Sequence, residues 1–535
     1  MTFDVIIKNG RVVDGAGNPW FRADVGIEDG KIAEINSLIE GDGDKVIDAS
    51  GLVVSPGFID IHTHSEITLL INPTGDSHIM QGVTTNLAGN CGGSAAPVSP
   101  YMRVRYEEAL RRNNLELDWT TMGEFLERVE KRSISLNMGT LVGNATVRMA
   151  VMGMEKREPT PKELNEMKRL VAEAMEDGAF GLSTGLFYAP SGYAGTDEVV
   201  ELAKVASKYG GIYATHIRGE GDPLLDATRE AIEIGERAGI PVEIVHHKAM
   251  GMKNWGKVKE TLRMMEEAWK RGVEVNCDVY AWRAGATSLT ASLPHWVHEG
   301  GFLKLLDRLK DSETRQRIKK DMKEGTPDWE SVVHEIGWEN VMISGCPKHR
   351  EYEGRMVGDL ASAKAVDPYD FAFDLLIEEG GQVGMIIFGM TEEDVTTVIK
   401  SRFSMIGSDS SPIAPTGTVG EGKPHPRAYG NFVKVLGEYV RERRVLTLEQ
   451  AVRKMSFFPA QKLGLLDRGI LKEGAWADVV VFDPETVASR ATYTDPHHFP
   501  VGVNWVIVNG VVTVEEGRHT RARAGKILRR PPLLR

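Results

Sequence analysis

The amino-acid sequence predicts an α/β protein: a (β/α)8 TIM-like barrel with a small β-sandwich domain built from both chain ends and a helical insertion near the barrel mouth. Three observations lead to this fold class. The middle of the chain alternates apolar strand-like segments with amphipathic helical ones, both ends are rich in strands, and a charged helical stretch interrupts the alternation. An open doubly wound sheet is the alternative, but the strand count reaches eight and no G-x-G-x-x-G turn occurs.

The two chain ends are predicted to form one β domain, from residues 1–55 and 456–535. Asn9-Gly10 and Asn509-Gly510 each lie between two strand-like segments, and Asn-Gly is typical of a tight hairpin turn. Because strand-rich ends flank a differently patterned middle, we expect them to assemble with each other. The barrel is assigned to the residues between them, 56–455.

The barrel prediction depends on short apolar segments that amphipathic stretches separate. Helical periodicity is clear at 161–176, 197–209, 224–238 and 255–271, which fits the crossovers between parallel strands. Residues 287–389 break the alternation, and we expect this helical insertion to lie over the barrel mouth. The predicted strands are 58–62, 84–87, 139–142, 178–182, 212–216, 242–245, 273–277 and 404–406.

Composition and charge limit the location and the partners of the protein. Hydrophobic residues make up 41% and charged residues 26% of the chain, as in ordinary globular proteins, and the net charge of −12 argues against nucleic-acid binding. The three cysteines are far apart, which excludes a disulfide framework and fits a reducing compartment. Because the sequence has no signal-like or membrane-spanning segment, we expect a soluble cytoplasmic protein without a membrane partner. The sequence leaves open whether the protein forms a homo-oligomer.

His62 and His64 are the first candidate metal ligands. In residues 57–64, GFIDIHTH, one residue separates the two histidines at the end of a strand, so both side chains point to the same face. There they can reach one metal ion, and imidazole is a common zinc ligand. The alternative is a pair of half-buried structural histidines.

Four further candidates stand at the ends of other predicted strands. They are Cys91 after the second strand, His216 on the fifth, His246 on the sixth and Asp409 after the eighth. A thiolate binds zinc strongly. The alternatives are a buried thiol, packed histidines and an aspartate that caps a helix. Because active sites of this fold lie at the carboxyl ends of the strands, the five strand ends together predict a metal site.

The same motifs resemble those of known hydrolases. The His-x-His pair on strand one, the histidines on strands five and six and the aspartate on strand eight are similar to the amidohydrolase superfamily. The strings GNCG, VHHK, CDVY, GSDS and HPR resemble the D-aminoacylase (N-acyl-D-amino-acid deacylase) family. The likeness continues to DPHHFPVGVNWVIVNG near the C-terminus, so it covers nearly the whole chain.

The resemblance implies a centre with one or two zinc ions. The tighter ion would be held by Cys91, His216 and His246. A weaker or empty neighbouring position, which Cys91 could bridge, would be lined by His62, His64 and Asp409. His247 is the less favourable ligand, since adjacent strand residues point apart. Residues 178–185 contain no lysine, so the carboxylated lysine that bridges two metals in many superfamily members is absent, as in the cysteine variant.

The activity that the resemblance implies is hydrolysis of the amide bond of an N-acyl-D-amino acid, which gives a carboxylate and a free D-amino acid. A metal-activated water would attack the amide, and Asp409 would carry its proton to the leaving nitrogen. Lys248, Tyr280 and Arg427 would bind the carboxylate of this small-molecule substrate. The alternatives for these three are a solvated lysine, a packed tyrosine and a salt-bridged arginine.

Two departures from the family pattern and two other functions stay open. Asn144 stands where family members usually have a histidine, and Ser410 where glycine is frequent. Asparagine does not titrate, so substrate choice or transition-state stabilisation can differ. The other functions are a cyclic amidohydrolase, hydantoinase- or dihydroorotase-like, which usually carries the bridging lysine, and a non-catalytic homologue, which should have lost ligands.

Overall fold

The computed structural model describes residues 2–326 and 329–531, without the side chain of Arg105. Position 1, positions 327–328 of the predicted insertion and positions 532–535 of the predicted C-terminal segment lie outside the described residues. The described chain is an α/β protein with one sheet built from the chain ends, two parallel sheets and a small antiparallel sheet.

Both chain ends contribute to one sheet. Val53–Pro56 joins them, because it pairs in parallel with Thr2–Val12 and antiparallel with Val479–Phe482. Alternate side chains of these strands pack into a shared apolar core, as the period of two of a strand requires. In the described residues the sheet has nine strands: Thr2–Val12, Phe21–Glu28, Lys31–Asn36, Asp42–Asp48, Val53–Pro56, Val479–Phe482, Val503–Val508, Val511–Glu515 and Arg518–His519.

The two Asn-Gly pairs behave differently in this sheet. Asn509 adopts a left-handed conformation, with φ of 49°, in the predicted tight turn between Val503–Val508 and Val511–Glu515. Asn9 is also left-handed, with φ of 62°, but it lies inside the single strand Thr2–Val12, where the register against the next strand shifts. The prediction of a hairpin at Asn9 was wrong, because one left-handed residue can also form a bulge within a strand.

The middle of the chain contains the predicted parallel strands. Each predicted segment overlaps an observed strand, but the fourth begins at Gly181 rather than 178 because Gly178, with φ of 111°, still belongs to the preceding turn. The third is interrupted at Leu141. One sheet contains Phe58–Asp60, Val83–Ala88 and Asn137–Thr140, and the other Val142–Gly143, Gly181–Gly185, Ile212–His216, Val242–Ile244, Val275–Val279 and Ser404–Ile406.

Hydrogen bonds connect the two parallel sheets at both edges. At one edge Thr63 pairs in parallel with Ser410, and the backbone NH of Asp409 donates to the carbonyl of His62 at 2.8 Å. At the other edge the NH of Phe180 donates to the carbonyl of Thr140 at 2.8 Å. The carboxyl end of the first parallel strand therefore lies beside that of the last one.

Helices connect the parallel strands, and their ends follow from local sequence. Thr160 accepts the NH of Glu163 ahead of Pro161–Glu176, which forms a capping box, and Leu224–Ala238 ends at the left-handed Gly239. No helix in the described ranges is both long and apolar enough to cross a bilayer. The helices outside the insertion are Thr68–Ile71, Asp76–Ile79, Pro100–Arg111, Met122–Arg132, Asn144–Met152, Pro161–Glu176, Thr196–Lys208, Leu224–Ala238, Val258–Lys270, Glu392–Lys400, Arg427–Lys434, the π-helical Val435–Glu442, Leu448–Met455 and Phe457–Leu463.

The insertion is only partly helical. Gly285–Ser288, Val341–Gly345 and Gly384–Ile387 form an antiparallel sheet within it, which the sequence prediction of a helical segment missed because these strands are short. Residues of this sheet and of the helix that begins at Val332 line the cavity described below, so the insertion covers the strand ends. Its helices are Phe302–Lys310, Ser312–Glu324, Val332–Ile336, Val357–Ala363 and Pro368–Glu378.

Candidate active site

The fold brings the six predicted metal ligands together at the carboxyl ends of the parallel strands. In each of two groups, one donor atom of every residue lies within 4.8 Å of the donor atoms of the others. Cys91 is a member of both groups. The first consists of His62, His64, Cys91 and Asp409, and the second of Cys91, His216 and His246.

Cys91, His216 and His246 have donor atoms at distances that suit one zinc ion. Nε2 of His246 lies 3.7 Å from Sγ of Cys91 and 2.9 Å from Nδ1 of His216. Zinc bonds of about 2.0–2.3 Å place tetrahedral ligand atoms roughly 3.3–3.7 Å apart, so the distance between Cys91 and His246 fits, whereas the two histidine nitrogens would separate by about 0.4 Å around an ion. A thiolate and two imidazoles are also the donors that zinc prefers, so the residues present fit this metal.

The second group surrounds one carboxylate oxygen. Oδ1 of Asp409 lies 3.2 Å from Nε2 of His64 and 3.5 Å from Nε2 of His62. The same nitrogen of His62 lies 3.4 Å from Sγ of Cys91. The thiol therefore stands between the two groups, where it can contact either position.

Three of these residues have an unusual backbone conformation. Cys91, His246 and Asp409 have φ of 52°, 38° and 49°, in the left-handed region that residues other than glycine rarely adopt. Hydrogen bonds stabilise this conformation at two of them: the NH of His246 donates to Oδ1 of Asp278 at 3.0 Å, and the NH of Asp409 donates to the carbonyl of His62. Strained residues of this kind cluster at functional sites, and here they turn three donor side chains into one space.

Asp278 orients two of the histidines, and the sequence analysis gave it no role. Its Oδ2 lies 3.2 Å from Nδ1 of His62, and its Oδ1 accepts the NH of His246. A carboxylate behind a histidine fixes the ring and directs the other nitrogen to a metal. The CDVY string contains this residue, and its strand position, two before Tyr280, was the signal that could have found it.

Glu220 is the second residue that the sequence analysis missed. Its Oε1 lies 2.5 Å from Nζ of Lys248, 3.1 Å from Nδ1 of His246 and 3.6 Å from Nε2 of His216. It lies in the loop after Ile212–His216, four residues past the histidine. The carboxylate therefore neutralises Lys248 and contacts both histidines of the second group.

The three predicted carboxylate binders lie close together. The guanidinium of Arg427 lies 4.5 Å from the ring centre of Tyr280, and Nζ of Lys248 lies 5.8 Å from the same ring. Nη2 of Arg427 is 2.9 Å from Oδ2 of Asp409. All three are buried, so Lys248 is not a solvated lysine, whereas Tyr280 is packed and Arg427 forms a salt bridge, as their alternatives describe.

Burial and neighbouring charges set the protonation of the donors. Burial lowers the pKa of His216 and His246 well below their usual range, which favours neutral imidazoles. Burial, with Asp409 nearby, raises the pKa of the Cys91 thiol well above its usual range, so this thiol ionises only beside a cation. Burial acts upward on the carboxyl of Asp409 too, but Arg427 and the histidines hold its pKa well below its usual range.

A cavity opens next to these groups. Phe187 and Tyr188, which the sequence analysis did not single out, contact the ring of His216 at centroid distances of 5.3 and 4.8 Å. The cavity is lined by Phe187, Tyr188, His216, Glu220, His246, Lys248, Met250, Tyr280, Gly285, Ala286, Thr287, Glu330, Val332, Ile387 and Asp409.

Three other residues discussed above lie outside the cavity wall. Nε2 of His247 lies 2.6 Å from the hydroxyl of Thr261, away from the ligand groups. Asn144 is buried and accepts a hydrogen bond from Ser191, while Ser410 contacts His78 at 3.0 Å. The departures at 144 and 410 therefore affect the packing behind the strand ends rather than the cavity lining.

Comparison with known proteins gives the same picture for the whole chain. The model of the amidohydrolase family matches residues 45–514. D-aminoacylase of Alcaligenes xylosoxydans xylosoxydans is 35% identical over 528 residues, which are 99% of this chain and 98% of that protein.

Two solved structures are similar over the full length. N-acyl-D-glutamate deacylase from Bordetella bronchiseptica, complexed with zinc and a phosphonate mimic of the tetrahedral intermediate, is 33% identical with a TM-score of 0.82 and covers 99% of this chain and 100% of its own. A D-aminoacylase solved in work on its binuclear metal centre is 34% identical with a TM-score of 0.83 and the same coverage. The chain therefore belongs to the amidohydrolase family and, within it, to the family of D-aminoacylases.

Proposed function

We propose that the protein is a zinc-dependent N-acyl-D-amino-acid deacylase that hydrolyses the amide bond to a carboxylate and a free D-amino acid. One observation carries the proposal: the donor atoms of Cys91, His216 and His246 meet beside Asp409, next to a cavity that Lys248 also lines. Zinc is the ion in the similar B. bronchiseptica structure. The D configuration is taken from the relatives, since no contact in this chain distinguishes D from L.

The ligand roles follow from the two donor groups. Cys91, His216 and His246 hold the tighter zinc, because two neutral imidazoles and a thiol lie within reach of one ion. His62, His64 and Asp409 line a weaker neighbouring position, which Cys91 can bridge. Asp278 and Glu220 support the histidines from behind.

Asp409 moves the proton. Zinc, when bound, supplies a Lewis acid that polarises the amide carbonyl and lowers the pKa of water. Asp409 is ionised and presents Oδ1 toward the ligand groups, so it can take a proton there and pass it to the leaving nitrogen. Arg427 holds Oδ2 and keeps the carboxylate in place.

Arg427, Tyr280 and Lys248 bind the substrate carboxylate. An arginine offers parallel donors that match a carboxylate, and Tyr280, which lines the cavity, lies against the guanidinium. Lys248 contributes less than a free lysine would, because Glu220 already accepts its ammonium. When these side chains hold the substrate's carboxylate, the substrate's amide bond is directed toward Asp409.

We also infer that the two parallel sheets form one closed eight-stranded barrel, since hydrogen bonds join both of their edges. On this interpretation residues 56–455 are the catalytic domain, with the insertion at about 287–389 over its mouth. Residues 1–55 and 456–535 make the β domain. Small-molecule substrates fit a site at the carboxyl ends of such strands.

A substrate panel tests the proposed function. N-acetyl-D- and N-acetyl-L-methionine are incubated with the zinc-supplemented protein and with the protein plus a chelator, and acetate release is measured. The proposal expects hydrolysis of the D form that the chelator abolishes. Opening of hydantoin or dihydroorotate rings without acetate release would instead assign a cyclic amidohydrolase, and no turnover of any substrate would point to a non-catalytic homologue.

A further inference from the structure

We infer that Glu330, on the insertion, is a specificity-determining residue that makes the cavity reject N-acyl-D-amino acids with an acidic side chain. The inference rests on the proposed function and narrows its substrate class to uncharged side chains. It concerns the part of the cavity that the metal ligands and the carboxylate binders leave free.

The cavity wall has no spare positive charge. Among the described lining residues, Lys248 is the one lysine or arginine, and Glu220 accepts its ammonium. Arg427 stands behind the wall and pairs with Asp409. Because these cations already serve the substrate's α-carboxylate, a second carboxylate would lose its hydration without meeting a free cation.

Glu330 adds an acidic group to this wall. Its Oε2 accepts the backbone NH of Glu220 at 2.7 Å. Its buried Oε1 has no partner at hydrogen-bonding distance and angle among the described residues. Gly221 makes room for the carboxyl, since a Cβ there would lie 2.1 Å from Oε1. Burial raises the pKa of Glu330 to about 8, as expected for a carboxyl without a cation.

The remaining wall suits an apolar side chain. Phe187, Met250, Val332 and Ile387 line the cavity with carbon atoms, and Gly285 and Ala286 leave it wide. A neutral side chain can pack against this surface beside Glu330, whereas a glutamate side chain brings a carboxylate to a place that already disfavours one.

Two substrates of nearly the same shape test the inference. N-acetyl-D-glutamine has a neutral side chain, and N-acetyl-D-glutamate carries one additional negative charge. With the zinc-loaded protein we expect kcat/KM for the glutamine derivative to exceed that for the glutamate derivative at least about 100-fold, as for a site that leaves a polar group unpaired. A ratio near one, with both hydrolysed, would overturn the inference and leave the proposed function intact. No hydrolysis of either, or of N-acetyl-D-methionine, would overturn both.

Glu330→Gln assigns the effect to this residue. At pH 9, above the pKa of about 8 that burial gives Glu330, we expect the glutamine-to-glutamate ratio to fall about tenfold, because the substitution removes one nearby negative charge, while kcat/KM for N-acetyl-D-glutamine stays within about threefold. Glu324→Gln, at an exposed position of the same insertion, is the matched control and should keep the wild-type ratio. An unchanged ratio in a folded Glu330→Gln would refute the assignment. If that variant does not fold, Glu330→Met provides the same comparison.

Discussion

Asp409 and Arg427 form a buried pair in which Oδ2 of the aspartate lies 2.9 Å from Nη2 of the arginine. The other oxygen of the same carboxylate faces His64 at 3.2 Å and His62 at 3.5 Å. The group proposed to move the proton is therefore held by the group proposed to bind the substrate. The contact between Asp409 and Arg427 therefore affects both the position of the substrate carboxylate and the charge on Asp409.

Asp409→Asn should abolish turnover but keep the fold. An amide cannot take a proton at Oδ1, so we expect kcat to fall by roughly three orders of magnitude or more. Zinc content should change little, because the tighter position does not need this carboxylate. Steady-state kinetics with N-acetyl-D-methionine and elemental analysis measure both, and Asp307→Asn, an exposed helix position, serves as control. Near-normal kcat in Asp409→Asn would disprove the proton-transfer role.

Cys91→Ala should lower zinc content. The thiolate is shared by both donor groups, so its loss leaves two imidazoles for the tighter position. We expect zinc well below one equivalent per chain after dialysis, with activity lost in parallel. Cys346→Ser is the matched control, because Cys346 is buried outside both groups and its variant should keep zinc. Stoichiometric zinc in folded Cys91→Ala would show that the thiolate is not a ligand.

Arg427→Lys tests whether substrate binding needs the parallel donors of the arginine or only its positive charge. Lysine keeps the positive charge but not the fork of donors, so we expect KM for N-acetyl-D-methionine to rise about tenfold or more. The change in kcat should be smaller, since a charge still stands beside Asp409. The exposed Arg402→Lys is the control. A rise in KM no larger than that of the control would remove Arg427 from substrate binding.

Glu220→Gln should weaken zinc binding without removing a ligand. The carboxylate lies 3.1 Å from Nδ1 of His246 and accepts the ammonium of Lys248, whose Nζ is itself 2.8 Å from that nitrogen. Glu220 therefore holds the surroundings of a ring whose Nε2 faces Cys91. Loss of such a partner lowers metal affinity by roughly 10–100-fold. Competition with a chelator of known affinity measures the zinc Kd directly. An unchanged Kd would confine Glu220 to the neutralisation of Lys248.

The strand ends were predictable from the sequence because their signals are local. An apolar run followed by His62, Cys91 or His216 marks where a parallel strand stops, and parallel strands place their carboxyl ends on one side. The left-handed conformation of Asn9 shows the limit of local signals, since Asn-Gly specifies a left-handed residue but not whether the chain reverses there.

Strand position marks Asp278 as a candidate, but the contacts of the supporting residues were not predictable from spacing. Asp278 contacts residues 32 and 216 positions away, Glu220 contacts Lys248, 28 positions away, and Glu330 accepts a backbone NH 110 positions away on another loop. Such contacts depend on how the loops and the insertion fold over the strand ends. The antiparallel sheet of the insertion was missed for a related reason, because its strands of four or five residues have no distinct period.

The central claim is that residues distant in the sequence hold one zinc ion, and an anomalous difference map of zinc-soaked crystals at the zinc absorption edge tests it most directly. We predict a peak within about 2.0–2.4 Å of Sγ of Cys91, Nδ1 of His216 and Nε2 of His246. A map with no peak among these three atoms, or with the ion bound only elsewhere, would contradict the account.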